Sequence, residues 1–137
     1  MAKTILIVDD DQAVLRSYER LLKRLGHRIV LADDSDRVRG DPRSLEGVDL
    51  LILDQRMPRT TGLELLVSLR RRAGEGAPLP AVLLISAYLS DELRDRASRL
   101  GVAEVIEKPV DTRRLLESVR SVLGDGAIDG GAPAARP

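Results

Sequence analysis

The chain has 137 residues, enough for one domain with a proper core and too few to call for a second. Its 22 acidic and 22 basic residues cancel, so no global field draws it onto nucleic acid or an anionic membrane, and the lack of Phe and Trp removes platforms for base stacking. There is no cysteine, no apolar run long enough to cross a bilayer and no signal-peptide core after Met1-Ala2-Lys3, which makes a cytoplasmic protein the expectation.

Ile5-Leu6-Ile7-Val8 is a short, wholly apolar run that ends on Asp9-Asp10-Asp11. Such a run suits a strand covered on both faces, here delivering acid to its C-terminal end. Val14, Leu15, Tyr18, Leu21, Leu22 and Leu25 then recur at helical spacing, with Gly26 suited to the C′ position. The only histidine, His27, reads as a surface residue. Ile29 to Ala32 is a second strand. From Ser35 to Glu46, Gly40 and Pro42 interrupt the pattern and only Val38 and Leu45 face a core, which predicts a short or irregular helix.

The chain is organised around its third strand, Leu50-Leu51-Ile52-Leu53-Asp54-Gln55-Arg56-Met57-Pro58. This apolar run stops on a carboxylate, and Pro58 cannot extend the ladder, so Asp54 belongs at the strand's C-terminal mouth. A turn-forming Asp would leave the same trace. Thr60 or Thr61 can cap a helix carrying Leu63, Leu66 and Leu69, which runs out in Arg70-Arg71-Arg72-Ala73-Gly74. A turn rich in Gly and Pro leads to a fourth strand, Ala81 to Ser86, that ends on a hydroxyl. Ser90 can cap a helix bearing Leu93, Ala97 and Leu100 and closed by Gly101, with a thin apolar face. Val102 to Ile106 is the fifth strand, followed by Glu107-Lys108-Pro109. Asp111 can cap a last helix carrying Leu115, Leu116, Val119, Val122 and Leu123, with Gly124 after it. Residues 1–123 thus form one domain, and 124–137, rich in Gly, Ala and Pro, read as a flexible tail or linker.

Five β-α units in a row require a parallel sheet with right-handed crossovers and helices on both faces. The strand ends then bring Asp9, Asp10, Asp54, Ser86 and Lys108 to one edge, where ligands bind in open α/β sheets. Two unit charges about 4 Å apart interact by about 4 kcal/mol at an effective dielectric near 20, so three converging carboxylates need a positive partner. A hard divalent cation such as Mg²⁺ suits oxygen ligands, and Lys108, one of 3 lysines against 19 arginines, can add a point charge. Helix capping by the aspartates, and ordinary strand-end polarity for Ser86 and Lys108, are the plainer alternatives.

Taken together, Ile5 to Asp11 (ILIVDDD), Leu51 to Pro58 (LILDQRMP), Leu83 to Ala87 (LLISA) and Glu107 to Pro109 (EKP) resemble the receiver domain of two-component response regulators over roughly residues 3–123. The resemblance implies a flavodoxin-like α/β fold, a doubly wound five-stranded parallel sheet of strand order 2-1-3-4-5. It implies a phosphoacceptor switch rather than an enzyme, taking a phosphoryl group from a sensor histidine kinase or phosphotransfer protein. Asp54 would be the phosphoacceptor. Asp10, Asp54 and the backbone carbonyl of Arg56 would ligate Mg²⁺, with Asp9 acting through a water. Ser86 and Lys108 would contact the phosphoryl oxygens, and Pro109 would follow a cis bond. Ser86, Tyr88 and Val105 occupy the positions of the switch, which would alter the surface of the fourth helix, fifth strand and fifth helix, a surface for a partner or a homodimer. The downstream effector or output domain is unspecified.

Three departures from the family pattern bear on that switch. Val105 stands where an aromatic residue is usual, Val110 replaces the Phe after Lys-Pro, and Gly40 and Pro42 interrupt the second helix. Competing readings fit less well. A phosphohydrolase of the haloacid dehalogenase type would carry its Asp nucleophile after the first strand, with a second Asp two residues on. A flavin or dinucleotide module would need a phosphate loop where Asp9-Asp10-Asp11 would repel the ligand. Retention of the acid, hydroxyl and lysine set argues against a purely structural receiver.

Overall fold

The computed structural model describes residues 2–74 and 78–124. Along the chain they form β1 (Thr4–Val8), α1 (Gln12–Lys23), β2 (Arg28–Ala32), α2 (Ser35–Gly40), β3 (Leu50–Asp54), β4 (Arg56–Met57), β5 (Thr60–Thr61), α3 (Gly62–Ala73), β6 (Ala81–Ser86), α4 (Asp91–Arg99), β7 (Glu104–Glu107) and α5 (Thr112–Leu123). The expected tail falls, from residue 125 on, outside the described residues. Among the described residues no helix is long and apolar enough to cross a membrane.

Five strands pair in parallel in the order β2-β1-β3-β6-β7, which is the expected 2-1-3-4-5. β3 lies at the centre and is buried at every position. Because side chains alternate across a sheet, each strand feeds two cores. Leu6, Val8, Leu51, Leu53, Val82 and Leu84 meet Val38, the leucines of α3 and Ala97 on one face. Ile5, Ile7, Leu50, Ile52, Leu83 and Ile85 meet Leu15, Leu22, Leu115 and Val119 on the other. Each fully buried Leu or Ile stabilises by about 1.5–3 kcal/mol, so this aliphatic packing substitutes for the missing aromatics.

The caps lie where the side chains allow them. Asp11 accepts from Ala13 and Val14 N–H, Ser90 from Leu93 N–H, and Asp111 from Arg113 and Arg114 N–H. Thr61 and Glu64 form a reciprocal capping box on α3. α2 is one short helix of 6 residues, as its breakers require, and α4 buries only Ala97, the thin face expected. Gly26, at φ 85°, ends a turn after α1 but lies beyond the C-cap at Arg24.

The structure corrects one reading and extends another. His27 is not a surface residue: it is 8% exposed, and its Nδ1 accepts the Lys3 N–H at 3.0 Å, where Arg28 N–H also bonds the Lys3 carbonyl at 2.9 Å. The imidazole thus continues the pairing of β1 with β2 past the end of the ladder. Leu65, outside the expected stripe of α3, is fully buried because α2 packs against α3 and covers a second face.

Candidate functional site

At the C-terminal edge of the sheet, β1 ends at Val8 and hands Asp9 to the mouth beside β3, whose last residue is Asp54. Asp9 and Asp54 are buried, Asp10 is exposed, and one carboxylate oxygen from each lies within 4.8 Å of the others. Asp11 is excluded from this cluster by its work as the α1 cap, though its N–H bonds Asp9 Oδ1 at 2.9 Å and fixes that carboxylate. β7 delivers Lys108, whose Nζ stands 2.8 Å from Asp54 Oδ1. Lys108 is thus the charged partner of this buried oxygen. The Lys108–Pro109 bond is cis, as expected.

An all-oxygen set of three clustered carboxylates, two of them buried and faced by a single ammonium, suits a hard divalent cation, so the cluster could hold one. The electrostatics agree. Burial raises the Asp54 pKa, more than the Lys108 ammonium and the Arg56 N–H lower it, and Asp10 adds to the rise. Asp9 is raised to about 6, by burial first and also by Asp54 and Asp10, against the Asp11 N–H and Lys108. For Lys108 burial acts downward, yet its pKa is raised because Asp54, Asp9 and Asp10 together outweigh it.

A raised carboxyl pKa means that the folded state takes up a proton which the unfolded chain does not. The stability this gives is full below the unfolded value of 3.8 and is lost as pH rises through about 6. In metal-free buffer Asp9→Asn should therefore gain on the wild type between pH 4 and 6.5, by at most roughly 3 kcal/mol. Melting both proteins across this window checks it; a constant difference would mean that Asp9 is not held as a desolvated charge.

Ser86 ends β6, buried, at the same edge. Its Oγ donates to the Tyr88 carbonyl at 2.6 Å and accepts the Tyr88 N–H at 3.2 Å, while the Tyr88 ring is 74% exposed. Beside it, a pocket of about 430 Å³ runs between the β4–β5 hairpin and α4, lined by Arg56, Met57, Thr60, Ser86, Tyr88 and Leu93. Val105 lies on β7, half-buried against the α3–α4 side of the core.

Reading the sequence did not bring out the scaffold that aims Asp54. The Gln55 N–H bonds the Ile85 carbonyl at 2.8 Å, its carbonyl accepts from Gly62, and its Oε1 accepts the Leu63 N–H at 3.0 Å. The start of α3 is thereby drawn onto the end of β3. At Gly62 a β-carbon would sit 2.7 Å from the Asp54 carbonyl oxygen and 2.8 Å from Leu84 Cδ1. On the other side, Asp36 of α2 binds Arg59, and Arg39 Nη2 donates to Thr60 Oγ1 at 3.0 Å. Tyr18 of α1 is half-buried, and its phenol is pushed up to about 12 by burial, then by Asp9 and Asp54.

With this geometry in place, the comparison with known proteins is direct. The sequence signature of the response regulator receiver domain matches residues 5–120. This chain belongs to the receiver domain family. It is 40% identical over 129 residues to the Regulator of RpoS of Escherichia coli, and 35% identical over 125 residues to the response regulator MprA of Mycobacterium tuberculosis. Each alignment covers 90% of the chain but only 35% and 51% of those proteins, so the chain spans about a third and about half of their lengths. A CheY-like receiver domain protein from Methanospirillum hungatei superposes with a TM-score of 0.76 at 29% identity, over 95% of this chain and 100% of that one. A receiver is a phosphoacceptor rather than a classical enzyme, and membership in a two-component family implies a histidine kinase partner. Its acidic cluster of Asp9, Asp10 and Asp54 is typical of a phosphoacceptor site.

Proposed function

We propose that this receiver takes a phosphoryl group from a sensor histidine kinase or phosphotransfer protein on Asp54. The observation that carries the reading is the buried Asp54 carboxylate, whose Oδ1 stands 2.8 Å from Lys108 Nζ and which clusters with the carboxylates of Asp9 and Asp10. An Asp54 oxygen attacks phosphorus, the bond from phosphorus to the donor nitrogen breaks, and the electron pair leaves with the imidazole. Lys108 meets one phosphoryl oxygen and Ser86 another. Asp10, Asp54 and the Arg56 carbonyl would hold Mg²⁺, with Asp9 acting through water. When bound, the ion would supply charge neutralisation to the phosphoryl oxygens.

Acetyl phosphate with Mg²⁺ should add a single hydroxylamine-labile phosphoryl group, read by intact mass, and Asp54→Asn should take up none. Label on that variant would sink the assignment. A phosphohydrolase would instead consume many equivalents of donor.

The switch we propose begins when Ser86 exchanges its bonds to Tyr88 for one to the phosphoryl group. That frees the loop leading into α4, and α4, with only Ala97 buried, costs little to move. Val105 has no ring to turn inward and stays in place. The change alters the face of α4, β7 and α5, where Arg114 already pairs with Glu104, and presents it to a downstream effector or a second copy. With beryllofluoride, amide exchange over Tyr88 to Leu100 should change in the wild type and not in Ser86→Ala. An unaltered segment, or a response that survives Ser86→Ala, refutes this route.

A further inference from the structure

Arg59 lies in the turn of the β4–β5 hairpin at φ 67°, the only non-glycine residue with positive φ among the described residues. A β-carbon is strained there, and such strain persists only where the surroundings hold it. What holds Arg59 is Asp36, in the first turn of α2: Nε and Nη2 both donate to Asp36 Oδ2, at 3.2 and 2.8 Å. Asp36 Oδ1 takes Arg39 Nη1 at 3.2 Å, so the same carboxylate joins the two guanidinium groups that grip the hairpin. Arg59 also shares the wall of one groove of about 310 Å³ with Asp10, Asp33 and Asp34. Arg59 thus borders acidic residues on the side of the cation cluster as well as Asp36, and of these Asp33 accepts from Gln12 and Asp34 from the Asp36 N–H.

We propose that Asp36 is a keeper for Arg59: it holds the guanidinium on α2, away from Asp10, and thereby sets the affinity of the Asp9–Asp10–Asp54 cluster for a divalent cation. The inference rests on the reading of that cluster as a Mg²⁺ site. Lys108 already occupies the Asp54 side. A released Arg59, with five donors on a long stem, would neutralise Asp10 from the groove and compete with the ion. Asp36 is half exposed and the pair is exposed overall, so its effect belongs to cation affinity far more than to folding. Asp36 acts through Arg59 and is a positioning residue.

The test is a calorimetric Mg²⁺ titration of the full chain as wild type, Asp36→Ala, Arg59→Gly and the double variant, with melting curves to show that each folds. Asp36→Ala should weaken binding severalfold, at most about fivefold, the limit set by what an exposed ion pair can hold. Arg59→Gly, which suits φ 67° and removes the guanidinium, should bind at least as tightly as wild type, and the double variant should match it. Asp36→Asn, which keeps the shape and loses the charge, serves if Asp36→Ala does not fold. Unchanged affinity in the Asp36 variants overturns the keeper, and so does a double variant as weak as Asp36→Ala. A wild type that binds no Mg²⁺ overturns the cation reading and the keeper with it.

Discussion

Mg²⁺ should raise the melting temperature of the wild-type chain and leave Asp10→Ala nearly unmoved. Only the folded state gathers the three carboxylates within 4.8 Å of one another, so a cation bound there stabilises the folded state alone. At a hundred times its dissociation constant the gain is about 2.7 kcal/mol. For a domain of this size that is about 10 °C. Lys108 offsets part of the repulsion in the metal-free site, but one ammonium faces three acids. Removing Asp10 without metal should therefore lift the melting point slightly, while removing a ligand should erase most of the Mg²⁺ response. A variant that still gains as much as wild type would show that Asp10 is not a ligand.

Gly62→Ala should destabilise the fold by about 2–3 kcal/mol, the cost of forcing a methyl into a filled space. Its β-carbon would come within 2.7 Å of the Asp54 carbonyl oxygen, and the backbone there is fixed by the Gly62 N–H bond to the Gln55 carbonyl and the Gln55 N–H bond to β6. Relief has to come from moving α3 away from β3, which also shifts Asp54, so phosphoryl uptake should fall with stability. Gly40→Ala is the control. Its added β-carbon meets nothing within 4 Å, and it should be neutral or slightly stabilising. Equal melting points for the two variants would contradict the close approach.

The succession of five parallel strands and the convergence of Asp9, Asp10, Asp54, Ser86 and Lys108 were legible because strands buried on both faces are continuous apolar runs, and because the polar residue that ends each run marks its mouth, while the order 2-1-3-4-5 came from the family resemblance. The caps Ser90 and Asp111 were legible for a local reason, since each bonds backbone two or three residues on, whereas Asp11 caps α1 by the plainer alternative, the one set aside for the aspartates. What escaped depends on contacts between distant segments. The β4–β5 hairpin has two residues per strand, too few for a period to show. His27 is buried by Lys3, 24 residues away, and Leu65 by the packing of α2. Arg59 gives no sign in the sequence that it adopts a backbone geometry better suited to glycine, since the compensating Asp36 is 23 residues earlier. Gly62 could have been marked by a glycine opening an otherwise leucine-rich helix, but only β3 and β6 show why no side chain fits.

Having neither Phe nor Trp, the chain owes its near-ultraviolet absorption and emission to two phenols, and they flank the site. Tyr18 is half-buried within the field of Asp9 and Asp54, and Tyr88 stands in solvent on the loop whose backbone Ser86 holds. Cation binding changes the charge felt by the first, and loss of the Ser86 bonds changes the setting of the second. The unlabelled protein is thus its own optical reporter, with replacement of either tyrosine by Phe separating the metal signal from the loop signal.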